Sequence, residues 1–461
     1  MKKIVSALLS LTMLAGILVG CGVQAADVEQ QDTNELSATV TQNANLKTPK
    51  YVFLFIGDGM SYPQIQSTAD YLGALNDEDY FQAQPSLDDN QGATLDGPEY
   101  LNFMNFEAAG SAVTYDSNSF APDSASTATS IATGYKTYSG SINVDETGTV
   151  EYETIAEKLH SQKDYSIGVI TSVNLNHATP AAFYAHQASR NDYYDIGLEL
   201  IDSEFEYFAG GGLLSPDGAD GNQENLYDLA EAAGYQVVNT QADAEALTAD
   251  DDKVIVIDEH LADSDAMAYE IDRTDDMWSL ADYVEKGIEV LSDDRDGFFL
   301  MCEGGKIDWA CHANDAASTI HDTIALADAV QVAIDFAAEH PSETLILVTG
   351  DHETGGLTIG FAGTDYDTYL TLLENQKISF AKYDSDYVAN YKENQTSFED
   401  VLVDIEELFG LKVDGEADDK LVLTEYELEQ LRAAYEKSIN GTAASQYEQE
   451  EYVLYGTYEP L

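Results

Sequence analysis

Six residues of this chain could do chemistry together: Asp58, Glu303, Asp308, His312, Asp351 and His352. Asp58, Glu303 and Asp351-His352 each close a short apolar run: Gly57-Asp58-Gly59, Glu303-Gly304-Gly305 and Gly350-Asp351-His352. Asp308 and His312 are four residues apart, which a helix places on one face. Singly these groups say little. An aspartate after a strand usually caps a turn, and an Asp–His pair at this spacing also reads as a polar helix face. Jointly, carboxylates with imidazoles form a ligand set suited to Zn²⁺. Glu303 with Asp58 and a hydroxyl forms an all-oxygen set suited to Mg²⁺. A nucleophile is offered by Ser124 in Pro122-Asp123-Ser124-Ala125-Ser126. The small residues after Pro122 favour a tightly packed helix whose N-terminus would attract a phosphate or oxyanion. An ordinary serine cap is the competing reading. The sequence has no Gly-x-Ser-x-Gly elbow and no Walker-A loop.

The elements that must position these groups follow from hydrophobic patterning. Tyr51–Ile56, Ile167–Thr171, Phe298–Met301 and Thr344–Val348 are short apolar runs typical of buried parallel strands. Helical periodicity occupies Thr154–Ser161 and Ser318–Ala338. Alternating strands and helices predict an α/β fold, with a central, mostly parallel sheet flanked by helices on both faces. In such sheets ligands bind at the carboxyl ends of the strands, where the candidate groups lie. Residues 195–290 are acidic and loop-rich and read as an insertion within the same folding unit, with Gly210-Gly211-Gly212 as a turn. Further on, Ser397–Phe409 reads as an amphipathic helix stopped by Gly410. Thr424 to Glu427 forms a capping box that opens a helix to about Ser438.

Composition bounds the function. The 461 residues are 44% apolar and 23% charged, enough to build a large core. Twenty Lys and Arg against 85 Asp and Glu give a net charge of −65, which argues against nucleic-acid binding. An anionic substrate would need metals or a local cation to hold it. Cys21, Cys302 and Cys311 are too few for a disulfide framework. Met1-Lys2-Lys3 followed by the apolar Ile4–Val19 reads as an export signal, too short to span a membrane. Leu18-Val19-Gly20-Cys21 resembles the bacterial lipoprotein processing box, and the alternative is cleavage after Ala25. The expected organisation is a signal over 1–21, a tether over 22–48 and a catalytic domain over 49–461. Lipidation at Cys21 would anchor the chain to the bacterial envelope; otherwise it would be secreted.

Six ordered motifs carry a resemblance. They are Ile56-Gly57-Asp58-Gly59-Met60, Pro122 to Ser126 with Thr133 to Thr137, Asn176-His177-Ala178-Thr179-Pro180, Ser189-Arg190-Asn191, Glu303 to Asp308 with His312, and Thr349-Gly350-Asp351-His352. The chain resembles the alkaline phosphatases over residues 48 to 357, and only loosely afterwards. The resemblance implies hydrolysis of phosphate monoesters, with Ser124 forming a phosphoserine intermediate. It implies zinc held by Asp58, Asp351 and His352, a second zinc held by Asp308 and His312, and Mg²⁺ held by Asp58, Thr179 and Glu303. Arg190 would grip the phosphoryl oxygens. His177 and Trp309 stand where some members carry Asp and Lys, so the Mg²⁺ site is expected to be weaker here. A homodimer is compatible with the same resemblance.

Other residues invite blander readings. His186 and His321 are expected in helices with structural roles. Cys302 and Cys311 are expected as buried thiols, with a disulfide between them as the alternative, and the tyrosines as packing and surface. The acidic segment could hold Ca²⁺, though no ligands stand out. A competing function is a catalytically impaired acidic surface lipoprotein, or a related phosphodiesterase. A sulfatase is disfavoured because no Cys/Ser-x-Pro-x-Arg signature surrounds Ser124. No histidine follows His352. The family's leaving-group zinc takes a late histidine, so the chain is expected to be C-terminally truncated relative to the family, with that zinc incompletely held.

Overall fold

The structure, a computed structural model, describes residues 48–78, 80, 94–292, 294–359, 368–416 and 419–440. The export signal, lipoprotein box, most of the tether and the last residues of the chain lie outside these. Among the described residues no helix is long and apolar enough to cross a membrane.

Seven strands form one sheet in the order β4-β5-β3-β2-β6-β1-β7, and every pairing is parallel. The four strands expected from apolar runs are β1 (Tyr51–Gly57), β2 (Ser166–Asn174), β6 (Phe298–Gly304) and β7 (Thr344–Gly350). Alternate residues feed two cores. Leu54, Ile56, Ile167, Val169, Phe299 and Met301 face helices that include Ser124–Thr133 and Ile155–Lys163. Phe53, Phe55, Ile170, Phe298, Leu300 and Cys302 face the helices Leu280–Leu291 and Ala316–Glu339. Parallel strands buried on both faces need this near-continuous apolar sequence.

The segment 195–290 is not an insertion. It supplies β3 (Tyr207–Gly211), β4 (Gln236–Val238) and β5 (Val254–Ile257), which extend the sheet outward from β2. These strands are short and sit between acidic loops, so composition hid them. The Gly210-Gly211-Gly212 run is likewise not a simple turn: its first two residues end β3. Gly210 has φ +143°, and a Cβ there would come within 2.0 Å of the Thr171 carbonyl oxygen on the neighbouring strand. Glycine lets β3 close against β2.

The two later helices form as their caps predict, over Phe398–Phe409 and Glu425–Ile439. They build a separate small core with Tyr383, Val388 and Tyr391. Two carboxylates, half-buried Asp272 and buried Asp315, tie this region to the sheet domain: Asp272 accepts from the Ser379 backbone N–H at 2.9 Å, and Asp315 accepts from that of Phe380 at 2.9 Å.

Candidate metal centre and nucleophile

Register explains why the candidate groups meet. β1 lies between β6 and β7, with Gly57 level with both Gly304 and Gly350. Three strands therefore end in one plane. Asp58 follows β1, Asp351-His352 follows β7, and Glu303 is the penultimate residue of β6. Past β6 the chain turns at Gly305 into the helix Lys306–His312, which carries Asp308. Gly59 makes this convergence sterically feasible. It has φ +67°, and a Cβ there would lie 2.7 Å from Asp308 Oδ1.

Ser124 is the first residue of its helix, but Asp123 is the cap, accepting from the Ser126 backbone N–H at 3.2 Å. The Ser124 hydroxyl is thereby left for the site. Its Oγ lies 3.2 Å from Asp58 Oδ1 and 3.3 Å from His352 Nε2, and those two atoms are 3.2 Å apart. Asp351 is held from three sides. Its Oδ1 accepts from the backbone N–H groups of Gly59 (3.1 Å) and His352 (2.7 Å), and its Oδ2 accepts from Thr127 Oγ1 (2.9 Å).

The electrostatics are those of a crowded acidic site. Burial, with Asp351 and Asp308 nearby, pushes the Asp58 carboxyl well above the usual range. Burial pushes Glu303 up to about 7. Although burial opposes its charging, the Asp351 and Asp58 carboxylates raise His352 to about 11. Burial and then the Arg190 charge lower His177 to about 3.

The residues fit divalent cations. Asp58 Oδ2, Thr179 Oγ1, Glu303 Oε1 and His177 Nδ1 are all buried without a hydrogen-bond partner. Buried polar atoms are rarely left so. Ligand atoms of Asp58, Asp351 and His352 lie within 4.8 Å of one another, and so do those of Asp58, His177 and Glu303. The second group brings His177 directly beside the expected magnesium ligands. Glu303 Oε2 accepts from Thr171 Oγ1, a partner set by the Thr171–Glu303 register of β2 and β6.

Asp308 and His312 do come together, with Nε2 3.4 Å from Oδ2. Asp308 is buried, and its Oδ1 accepts from Thr354 Oγ1 at 2.6 Å, whereas the His312 side chain is 62% exposed. Arg190 donates to Asp123 Oδ2 at 2.9 Å, and its other terminal nitrogen lies 3.1 Å from His177 Nε2. Trp309 meets the His177 ring edge-on, centroids 5.9 Å apart.

Sequence reasoning missed Asp123, Thr127, Thr171 and Thr354. The first two carried readable signals, a Pro-Asp-Ser capping pattern and a hydroxyl one helical turn after Ser124. The others depend on strand register and loop path. Of the blander readings, Cys302 and Cys311 are buried free thiols. His321 lies within the helix Ala316–Glu339. His186 lies outside any helix, between Glu157 (3.5 Å) and Glu199 (3.4 Å), because the short helix Ala178–Ala181 ends before it.

Comparison with known proteins bears on the family and the fold. Residues 49–412 match the alkaline phosphatase family model. Alkaline phosphatase 4 of Bacillus subtilis is 32% identical over 359 residues, covering 76% of this chain and 69% of that protein. The cold-active alkaline phosphatase of a Shewanella species superposes with a TM-score of 0.64 at 28% identity, covering 85% of this chain and 86% of that one. A variant of the enzyme from the Antarctic bacterium TAB5, a histidine replaced by glutamate and Mg bound in its M3 site, gives a TM-score of 0.55 at 31% identity, over 68% of this chain and 80% of that one. Family match, parallel sheet and strand-end cluster concur: the chain belongs to the alkaline phosphatase family, whose members are phosphoric monoester hydrolases.

Proposed function

We propose that this chain hydrolyses phosphate monoesters through a phosphoserine at Ser124. The observation that carries the reading is the approach of Ser124 Oγ to Asp58 and His352 at 3.2 and 3.3 Å, beside buried ligand atoms that lack partners. Asp58, Asp351 and His352 would hold one zinc, and Asp308 and His312 a second. Asp58, Thr179 and Glu303 would hold magnesium, with His177 next to it. Such ions supply Lewis acidity and lower the pKa of a bound hydroxyl or water.

The chain's own residues do the rest. Ser124 Oγ attacks phosphorus as the bond to the ester oxygen breaks, and the alcohol departs. Water then attacks the phosphoserine, releasing inorganic phosphate and regenerating the hydroxyl. Asp123 capping keeps the Ser124 hydroxyl out of the helix's own hydrogen bonds. Asp123 and His177 hold the Arg190 guanidinium beside the nucleophile, where its planar fork can take two phosphoryl oxygens. This local cation offsets the −65 charge of the protein toward an anionic substrate. Incubation with ³²P-labelled substrate and acid quenching tests the intermediate: label on Ser124 is expected, and turnover without any labelled enzyme rules it out. Export and lipid anchoring at Cys21 belong to the same proposal. Labelled palmitate should enter the wild-type protein and not the Cys21→Ala variant.

A further inference from the structure

Lys306 is the first residue of the helix that carries Asp308 and Trp309, and its side chain is 0% exposed. Both features disfavour a cation. Lysine is rarely buried unless paired, and a helix N-terminus repels positive charge. The ammonium is nevertheless held on three sides. Nζ lies 2.6 Å from Asp263 Oδ1, 3.8 Å from the centre of the Tyr269 ring and 4.8 Å from that of Trp309. Trp309 is three residues further along the helix and so shares its face. The indole meets His177 edge-on, and His177 Nε2 meets the Arg190 guanidinium at 3.1 Å.

We infer that Lys306 is a positioning residue: its buried ammonium, clamped by Asp263 and Tyr269, fixes the Trp309 indole and through it the His177–Arg190 pair that faces the phosphoryl group. The inference rests on the proposed phosphatase reading for its kinetic arm only. A cation over an aromatic face is attracted to the ring's negative quadrupole, and the attraction strengthens when water is excluded. Asp263 lies on the loop after β5, so the device couples that loop to the site. No step of the reaction passes through Lys306 itself.

The test uses the full chain in a Trp278→Phe background, which leaves Trp309 as the sole indole. Lys306→Met keeps the length of the side chain and removes its charge. Its near-UV circular dichroism bands from Trp309 should weaken, and kcat/KM for p-nitrophenyl phosphate should fall about tenfold, the scale set by sub-ångström misplacement of a binding group. Lys306→Arg should recover both signals. Adding Lys306→Met to Trp309→Phe should cost less than about twofold, because coupled residues are not additive. A folded Lys306→Met protein with unchanged indole bands and kcat/KM overturns the inference. So does an undiminished loss in the Trp309→Phe background. Should Lys306→Met not fold, Asp263→Asn is read by the same two measurements, and unchanged values overturn the inference. If the wild-type chain does not turn over the substrate, the phosphatase reading fails and the indole bands alone decide the role of Lys306.

Discussion

The two candidate zinc sites are built differently. Asp58, Asp351 and His352 are buried at the level ends of adjacent strands, and Asp351 alone accepts three hydrogen bonds. Asp308 and His312 come from a single helical turn, with His312 largely exposed. The first cluster exists only because β1 and β7 are in register; the second exists wherever that turn is helical. Among the described residues, no third His, Cys, Asp or Glu groups with the second pair. A site assembled by a sheet is held by strand pairing, whereas one assembled by a helix is held by a single turn.

The comparison breaks first at Ser124, which belongs to the sheet-built side. Ser124→Ala should lower turnover by about 10⁴-fold or more while leaving bound metal in place, since in the proposed mechanism the hydroxyl is the nucleophile and the carboxylates are the ligands. Single-turnover kinetics with metal analysis checks this; labelled phosphate trapped at the wild-type level would sink the assignment.

Chelator titration sharpens the contrast. Zinc at Asp308 and His312 should leave at chelator concentrations at least about tenfold below those that strip the other site, because His312 is largely exposed whereas Asp58, Asp351 and His352 are all buried. His312→Ala should remove only the weakly held equivalent. Two equivalents lost together at one concentration would contradict the difference in build.

The sheet-built side should also govern stability without metal. Glu303 is raised to about 7 in the fold, and Asp58 is raised well above the ordinary carboxyl value. Their contribution is present below the unfolded carboxyl range and is lost as pH rises through the raised values. His352, raised to about 11, contributes below its unfolded pKa and loses that contribution as pH rises toward the folded value. All three act in the same direction. The melting temperature of chelated protein should therefore fall by several degrees between about pH 5 and pH 9, and added zinc should recover most at the alkaline end. A flat profile in chelator would show that the cluster is not repulsive.

The smallest effect concerns His177, which groups with Asp58 and Glu303. His177→Asp should tighten Mg²⁺ activation by about threefold to tenfold, because a carboxylate beside Asp58 and Glu303 adds negative charge to an oxygen-rich site. Titrating stripped protein with Mg²⁺ reads the midpoint directly, and an unmoved midpoint removes His177 from the account.

Local signals alone determined much of this. Runs such as Tyr51–Ile56 and Phe298–Met301 announced strands because a strand buried on both faces must be apolar throughout. Apolar spacing before Gly410 announced the helix over 397–409, and the Thr424 capping box announced a helix start because a hydroxyl satisfies backbone N–H groups that the helix leaves open. The six motifs pointed to the candidate ligands and to Ser124. Tertiary structure decided what composition concealed. β3, β4 and β5 were hidden because short strands among acidic loops leave too few residues for a period to show. Thr171 became a partner of Glu303, and Gly59 a contact of Asp308, only through register and loop path. Lysine is rarely buried, and only packing shows Lys306 enclosed by Asp263, Tyr269 and Trp309. Residue type and near-neighbour spacing fix local conformation and chemical potential, while distances between groups hundreds of residues apart are set by how the strands pair.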